Sequence, residues 1–451
     1  MSDRGSFASK MGIILATAGS AVGLGNVWRF PFMAGQNGGA AFIIVYFGCI
    51  MLLGIPGMVS EFIIGRRTQR NAARAYRNFS RRRPWRFVGY LGILTSTIIL
   101  GFYAVVAGWC LQYLFASLLG QLNGDAGYVL SYFRSFSSNP WQPSLWAVAF
   151  ILLTHFVVVR GVQHGIERAS KILMPLLLLL LVIIVIASCM LPNAVEGIKF
   201  LLLPDFSKVS HSVLLEALGQ AFFSLSLGTA CLCTYASYFS KDTHLLKSAT
   251  QIALLDSAIA ILAGLMIFPA AFSVGVQPDS GPSLIFITLP NVFQQAFASV
   301  PVVGYVISIL FYALLVFAAL TSTISMHEIG TAFFTEERRM PRKRAAWVLT
   351  AVCSLLAVLC SLSVGAVDTI RVLDMSLMDF CDYLTAQFML PLGAFLTSLF
   401  LGWFVNQRVV RDEFTNGGSV ARGLFPAYQF AVRFIVPLCI LLIFLHQFGV
   451  V

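Results

Sequence analysis

Eight residues near the start of the chain, Gly19-Ser20-Ala21-Val22-Gly23-Leu24-Gly25-Asn26, carry ion-binding atoms on a backbone ill suited to an unbroken helix. Three are glycines, and each glycine costs about 1 kcal/mol relative to alanine in a helix interior. The stretch lies inside a long apolar segment. In lipid, a backbone group without a partner is penalised by several kcal/mol. A helix broken at that depth persists only where its freed carbonyls and amides face protein or a ligand. Freed carbonyls are hard oxygen donors for a cation. Amides opening the next half-helix favour an anion. Close packing through small residues explains the glycines alone, but not Asn26 and Arg29, which follow in the same segment. A binding site at membrane depth is expected here.

Two more apolar segments hold matching chemistry. Gly219–Ala230 puts the hydroxyls of Ser224, Ser226 and Thr229, and a glycine, in mid-segment. Asp256 stands in an otherwise apolar run, where charge is expensive and usually functional. Glu61 is another acid of this kind, expected to brace the broken sixth span rather than to serve as a coupling site.

These residues sit in a chain of 451, of which 58% are hydrophobic and 11% charged, with mean hydropathy +0.84. Soluble domains carry about 25% charged residues, so this is a polytopic membrane protein. The net charge is +11, and nine arginines (66, 67, 70, 74, 77, 81, 82, 83, 86) fall between Gly65 and Phe87 with no acid among them. Lying between two spans, they read as a positive-inside loop touching lipid headgroups rather than a nucleic-acid patch. The nine cysteines are scattered, with no four-ligand metal spacing, and read as buried thiols. No cleavable leader is expected, because the first apolar segment lacks a cleavage site.

Segments of roughly 20 apolar residues give about eleven spans: 11–35, 40–65, 87–119, 144–160, 166–190, 212–239, 246–275, 300–334, 345–362, 376–404 and 430–449. Alternate loops carry the Lys and Arg, placing the N-terminus in the cytoplasm and the C-terminus outside. Residues 281–295 are apolar but short, and read as a re-entrant or surface hairpin on the outer side. The first and sixth spans are both interrupted. That predicts one all-α transmembrane domain over 1–451, built from two inverted five-helix repeats (about 11–190 and about 212–404) plus an eleventh helix at about 430–449. In such a design the ligand sits where the two breaks meet.

The run Gly19–Pro31 closely resembles the first-span signature of the neurotransmitter:sodium symporter family. The resemblance covers essentially the whole chain. It returns in Arg160-Gly161 with Gly165–Arg168, in Phe223–Gly228, in Thr234–Tyr238 and in Ala319–Ser322. It implies two sodium sites. The first would use Ala21, Asn26, Ser224, Asp256 and the substrate carboxylate; the second would use Gly19, Val22, Ala318, Thr321 and Ser322. Back-bonding of Thr321 and Ser322 to their own helix is the plain alternative. The substrate carboxylate would meet the amides of Leu24 and Gly25 and the Tyr103 hydroxyl. Ala21 and Ser224 would touch the substrate as well, and Ile99, Phe223, Ser226, Thr229, Ser322 and Met326 would line the side-chain pocket. Thr229 stands where a leucine-transporting member has phenylalanine, and Met326 where it has isoleucine; methionine repacks readily.

The resemblance implies gates too. Arg29 would pair with Asp382, or with Asp379, on the outer side; Arg4 would pair with Glu336 on the inner side, near Tyr238. Asp256 departs from the family's usual neutral residue. It would supply the negative charge that chloride supplies in eukaryotic members, so no chloride is expected. The implied function is a sodium-coupled symporter of a neutral hydrophobic or aromatic L-amino acid, working by alternating access in a bacterial inner membrane. It would act as a monomer or weak homodimer, with the lipid bilayer and the amino acid as its partners. A proton-coupled transporter or a non-transporting amino-acid sensor on the same fold is the alternative. No enzyme is expected, because the six histidines are scattered and no H-E-x-x-H, G-x-S-x-G or C-x-x-C motif occurs.

Overall fold

The computed structural model describes residues 5–79, 83–275, 284–367 and 369–447. The first span is a bent pair, α1 (Lys10–Ala21) and α2 (Gly25–Gln36), meeting at 56°. Then come α3 (Ala40–Thr68), α4 (Arg86–Leu118), α5 (Gln142–Val158) and α6 (Val162–Cys189). The sixth span is again two pieces, α7 (His211–Ser224) and α8 (Cys231–Ala236). The rest are α9 (Leu245–Ser273), α10 (Pro301–Glu337), α11 (Arg342–Ser363), α12 (Leu377–Phe404) and α13 (Arg422–Gln447). Among the described residues, strand pairing is confined to a hairpin of Arg371–Val372 with Met375–Ser376.

The eleven expected stretches appear in order, with three differences. Among the described residues, eight helices cross a bilayer by length and composition, or ten if each bent pair is one span. The sixth expected span is left out, because its halves are only 14 and 6 residues long. The fourth is preceded by an unforeseen helix, Gly127–Ser137, bent 75° against α5. The eleventh begins at Arg422, eight residues before the expected 430, because its first turns are polar enough to hide in a hydropathy window. Of the two placements expected for the apolar segment near 281–295, re-entrant or surface, burial counts against the surface one. Residues 281–283 lie outside the described residues, but Ile285, Phe286, Leu289, Val292 and Phe293 are fully buried. Phe286 packs on Trp109 and Tyr113 of α4, with ring centroids 5.6 and 5.1 Å apart.

The break between α7 and α8 needs unusual backbone. Ser226 and Ala230 take left-handed conformations (φ 53° and 61°), and Gly228 between them has φ 82°. Each non-glycine residue there costs roughly 1–2 kcal/mol. Glycine is required at 228, since a Cβ would run into the Leu390 carbonyl. Glu61 holds the turn together from α3. Its carboxylate, 2% exposed, accepts the Gly228 amide at 2.8 Å and the Cys233 amide at 3.2 Å. This is the bracing role expected of it. Ser96 of α4 adds a hydroxyl bond to the Thr229 carbonyl at 2.6 Å.

Replacing Glu61 by alanine strands both amides, each at a cost of about 1–3 kcal/mol. The Glu61→Ala protein should therefore melt well below the parent in detergent, and Glu61→Gln, with one acceptor oxygen, should fall between. Tryptophan-fluorescence melts measure the order; equal melting of all three would remove Glu61 from this role.

Candidate functional site

The two breaks face each other. The Ser226 hydroxyl donates to the Ser20 carbonyl at 3.1 Å, joining the α7–α8 turn to the end of α1. Beyond Ala21 the chain leaves the helix at Val22 (φ −71°, ψ 110°), and α2 opens with a π-type turn over Gly25–Arg29. Such single wide turns often mark functional sites.

Asn26, Ser224 and Asp256 meet at the centre, all essentially buried. The Asn26 amide nitrogen donates to Asp256 Oδ1 at 2.7 Å and to the Asp256 carbonyl at 3.2 Å. The Ser224 hydroxyl donates to Asp256 Oδ2 at 2.7 Å, and the Tyr46 hydroxyl reaches the same oxygen at 3.4 Å. Asn26 Oδ1 accepts from the Gly23 amide at 3.1 Å. A buried carboxylate in an apolar helix is thus held by three donors on three other helices. Ala21, the remaining residue expected at this centre, is the buried last residue of α1.

The second expected set also assembles. The Thr321 and Ser322 hydroxyls point to the Val22 carbonyl at 3.4 and 3.3 Å. Thr321 also back-bonds to Ala318 at 3.0 Å and to Phe317 at 3.2 Å, so the plain alternative describes part of its geometry. Gly19 lies against Thr321, where an added Cβ would come 3.2 Å from the Thr321 Cβ. Carbonyls and hydroxyls are the oxygen donors that suit a hard cation. Among the described residues no trio of His, Cys, Asp or Glu offers a softer site.

Around these centres, the Tyr103 hydroxyl accepts the Leu24 amide at 3.1 Å. It thus occupies one of the two amides expected to receive a carboxylate. Phe223 lies over Gly25, with its ring carbon 2.9 Å from where a Cβ would be. Ile99, Thr229 and Ser322 are buried, while Ser226 and Met326 are half-buried.

The two ends differ. On the Arg29 side, the guanidinium sits 4.3 Å over the Phe223 ring. Asp382 stands one residue before Tyr383, which shares a cavity with Arg29. Asp379 is instead engaged with Ser376, which donates to its carboxylate at 2.7 Å and caps the start of α12 by accepting its amide at 3.1 Å. This leaves Asp382 as the candidate not held by that capping pair. It is exposed, and the cavity, of about 470 Å³, is lined by Arg29, Glu216, Gln220, Tyr383 and Gln387.

The opposite end is closed by contacts. Phe7 packs edge-on against Tyr235 and Tyr238 at 5.9 and 6.0 Å. Glu167 accepts the Ala8 amide at 2.7 Å and the Ser9 hydroxyl at 2.9 Å. Arg4 lies outside the described residues; Glu336 accepts both the backbone amide and the side-chain amide of Asn71, at 3.0 and 2.9 Å. Tyr238 donates instead to Glu328, at 2.6 Å. Arg342 binds both Glu328 oxygens and also donates to the Val158 carbonyl at 2.8 Å. Sequence reasoning missed Glu328 and Arg342, although an acid and a histidine side by side within an apolar helix (His327-Glu328) were the available signal.

The profile of the Sodium:neurotransmitter symporter family matches residues 4–129 and 138–451. The chain is 40% identical over 447 residues to the sodium-dependent transporter YhdH of Bacillus subtilis, covering 98% of each. It is 32% identical over 456 residues to a sodium-dependent transporter of Haemophilus influenzae, again covering 98% of each. Among solved structures, MhsT in complex with L-phenylalanine superposes with a TM-score of 0.89 at 41% identity, covering 98% of this chain and 99% of that one.

Gly23 tests the assembly. A Cβ there would lie 2.5 Å from the Ser322 hydroxyl and 3.1 Å from that of Tyr103. Gly23→Ala should push the break away from α10 and abolish stabilisation by sodium in a thermal-shift assay, with the protein still folded by circular dichroism. Retention of the parent's sodium response would show that the close approach is dispensable.

Proposed function

This chain belongs to the Sodium:neurotransmitter symporter family of sodium-dependent, multi-pass membrane transporters, which are not enzymes, and from that premise we propose that it is a chloride-independent symporter of neutral hydrophobic or aromatic L-amino acids. The observation that carries this reading is the Asn26–Ser224–Asp256 cluster at the meeting point of two broken helices. The first sodium takes its oxygens from Ala21, Asn26, Ser224, Asp256 and the substrate carboxylate. The second takes the Gly19, Val22 and Ala318 carbonyls with Thr321 and Ser322.

The substrate carboxylate meets the first turn of α2, where free amides and the helix dipole favour an anion. Tyr103, now bonded to Leu24, turns its hydroxyl toward that carboxylate. The side chain extends among Ile99, Phe223, Ser226, Thr229, Ser322 and Met326. Threonine at 229 leaves more room than an aromatic wall would, and the L-phenylalanine bound in MhsT supports a pocket of that kind.

Sodium between Val22 on the α1–α2 break and Thr321 and Ser322 on α10 holds the first helix in place and keeps the inner end shut. Its release lets α1 swing. The ion must bind one state better than the other for this to work. Arg29, Phe223 and Asp382 close the outer path above the substrate; Arg4, Glu336 and Tyr238 serve the inner one. The membrane is the bacterial inner membrane, with the N-terminus cytoplasmic and the C-terminus outside, and the working unit is a monomer or weak homodimer.

Chloride independence follows from Asp256, whose carboxylate puts a fixed negative charge beside the first cation site. Sodium-driven uptake into proteoliposomes should be unchanged when gluconate replaces chloride. Asp256→Asn should lower it about tenfold or more, as expected for losing a charge-assisted contact of about 1.5–3 kcal/mol. A large loss of parent activity in gluconate would overturn this part of the reading. A panel of the twenty amino acids, with and without sodium, should rank neutral apolar and aromatic L-amino acids first. Preference for charged amino acids, or for amines without a carboxylate, would refute the substrate class.

A further inference from the structure

One arginine inside a membrane span has no counter-charge. Arg433 stands within the apolar run of α13, half-buried. Among the described residues, the arginines that form ion pairs are Arg66, Arg67, Arg74 and Arg342, and Arg433 is not one of them. Its Nε donates to the Gly402 carbonyl at 2.7 Å, and its guanidinium carbon lies 5.6 Å from the centre of the Trp403 ring. The Trp403 indole donates back to the Arg433 carbonyl at 3.2 Å. These contacts aim the guanidinium and use only its Nε–H. The two Nη atoms bond to no acceptor among the described residues. A charge inside a span needs a partner.

The backbone here is shaped around that side chain. Both α12 and α13 take a wide π-type turn, over Phe400–Phe404 and Ala431–Ile435, and such turns often mark functional sites. Gly402 lets the two turns meet, since a Cβ there would come 3.1 Å from Arg433 Cγ. On and beside these turns, Trp403, Phe404, Phe430 and Phe434 are between 48% and 57% exposed. Trp403 packs on Phe434 at 5.5 Å, and Phe434 on Phe430 at 5.4 Å. Phe404 meets Trp85, just before α4, at 4.7 Å. Trp85 belongs to the arginine-rich stretch 65–87, which holds no acid. Asp412 and Glu413, on the short helix Gln407–Phe414, are turned to Arg67 and Arg66. The seam between α12 and α13 thus carries positive charge beside a belt of aromatic rings, the make-up of a surface at headgroup level.

We propose that this seam is a binding site for the phosphate of one anionic phospholipid. The phosphate oxygens accept from both Nη atoms, in the forked geometry that suits guanidinium to phosphate. An acyl chain lies along Phe434, Leu438 and Leu441, which are exposed and spaced i, i+4, i+7 on one face of α13. A negative lipid is favoured over a zwitterionic one, because no described carboxylate at the seam is placed to hold a headgroup ammonium. Basic pockets between spans bind anionic headgroups in this way. The contact is independent of the substrate and sodium sites proposed above.

The test uses the purified full-length protein in a neutral detergent. Dioleoylphosphatidylglycerol or dioleoylphosphatidylcholine is titrated in, and the lipids retained per protein are counted by native mass spectrometry. One phosphatidylglycerol should be retained at a concentration about tenfold below that needed for phosphatidylcholine. Arg433→Gln should raise that concentration about tenfold or more, as for loss of a bond to a charged group. Arg408→Gln, at an exposed arginine of the same end, should leave it unchanged. Inorganic phosphate at the same concentration should not displace the lipid. Equal retention by the parent and Arg433→Gln, an equal loss with Arg408→Gln, or no preference for phosphatidylglycerol would overturn the site. Displacement by free phosphate would overturn the lipid as its occupant. If Arg433→Gln does not fold, a photoactivatable phosphatidylglycerol on the parent protein decides. Its adducts should map to peptides containing Trp403 or Phe434, and adducts confined to other peptides would overturn the proposal.

Discussion

A membrane helix that stops half-way leaves polar backbone groups with no water to turn to, and the rest of this molecule is arranged around supplying their partners. Glu61 reaches across from α3 to take two amides of the sixth span's break. Ser226 gives its hydroxyl to the Ser20 carbonyl of the first break. Thr321 and Ser322 reach the Val22 carbonyl from α10. Each partner comes from a helix distant in sequence, so neither break is stable until the spans have packed. The positive-φ residues at 226 and 230 carry backbone strain of the kind that collects at functional sites. It persists here because Glu61, Ser96 and Leu390 leave the turn little alternative.

The polar residues of the first and sixth spans were legible in the sequence because glycines, hydroxyls and an asparagine have no ordinary reason to cluster in an apolar run. Asp256 and Glu61 stood out for the same reason, one charge in a long apolar segment. Their partners were harder to see. Tyr46 carries one hydroxyl on a hydrophobic ring and passes for core. The choice between Asp379 and Asp382 depended on a local capping bond from Ser376 that spacing alone does not reveal. The segment around Phe286 was read as a re-entrant or surface hairpin, and its burial was not visible because its aromatic partners lie far away in sequence. The helix before α5 was missed because Ser131, Arg134, Ser135 and Ser137 make it too polar to read as part of a span.

Charge is distributed unequally between the two ends. On the Arg29 side the cation lies over an aromatic face beside an open cavity, and Asp382 is exposed. A cation over a ring is worth roughly 0.5–2 kcal/mol depending on desolvation, enough to position Arg29 while leaving it free to exchange partners. On the other side, Glu328, Arg342 and Glu167 are engaged by several bonds each. Phe223 joins the proposed binding site to the open end, since its ring meets both Arg29 and Gly25.

The bond from Tyr238 to Glu328 has a kinetic consequence. Glu328 is wholly buried, and separating a buried ion pair is costly, because it leaves an uncompensated charge behind. Yet its counter-charge, Arg342, comes from α11 and is also fastened to the Val158 carbonyl, so the pair stays whole if α8 moves away. Only a neutral phenol departs. Breaking a hydrogen bond to a charged group costs about 1.5–3 kcal/mol, which slows opening by roughly one to two powers of ten and never strands an ion. As a latch on the proposed inner end, it is slow enough to hold between turnovers and cheap enough to release thermally.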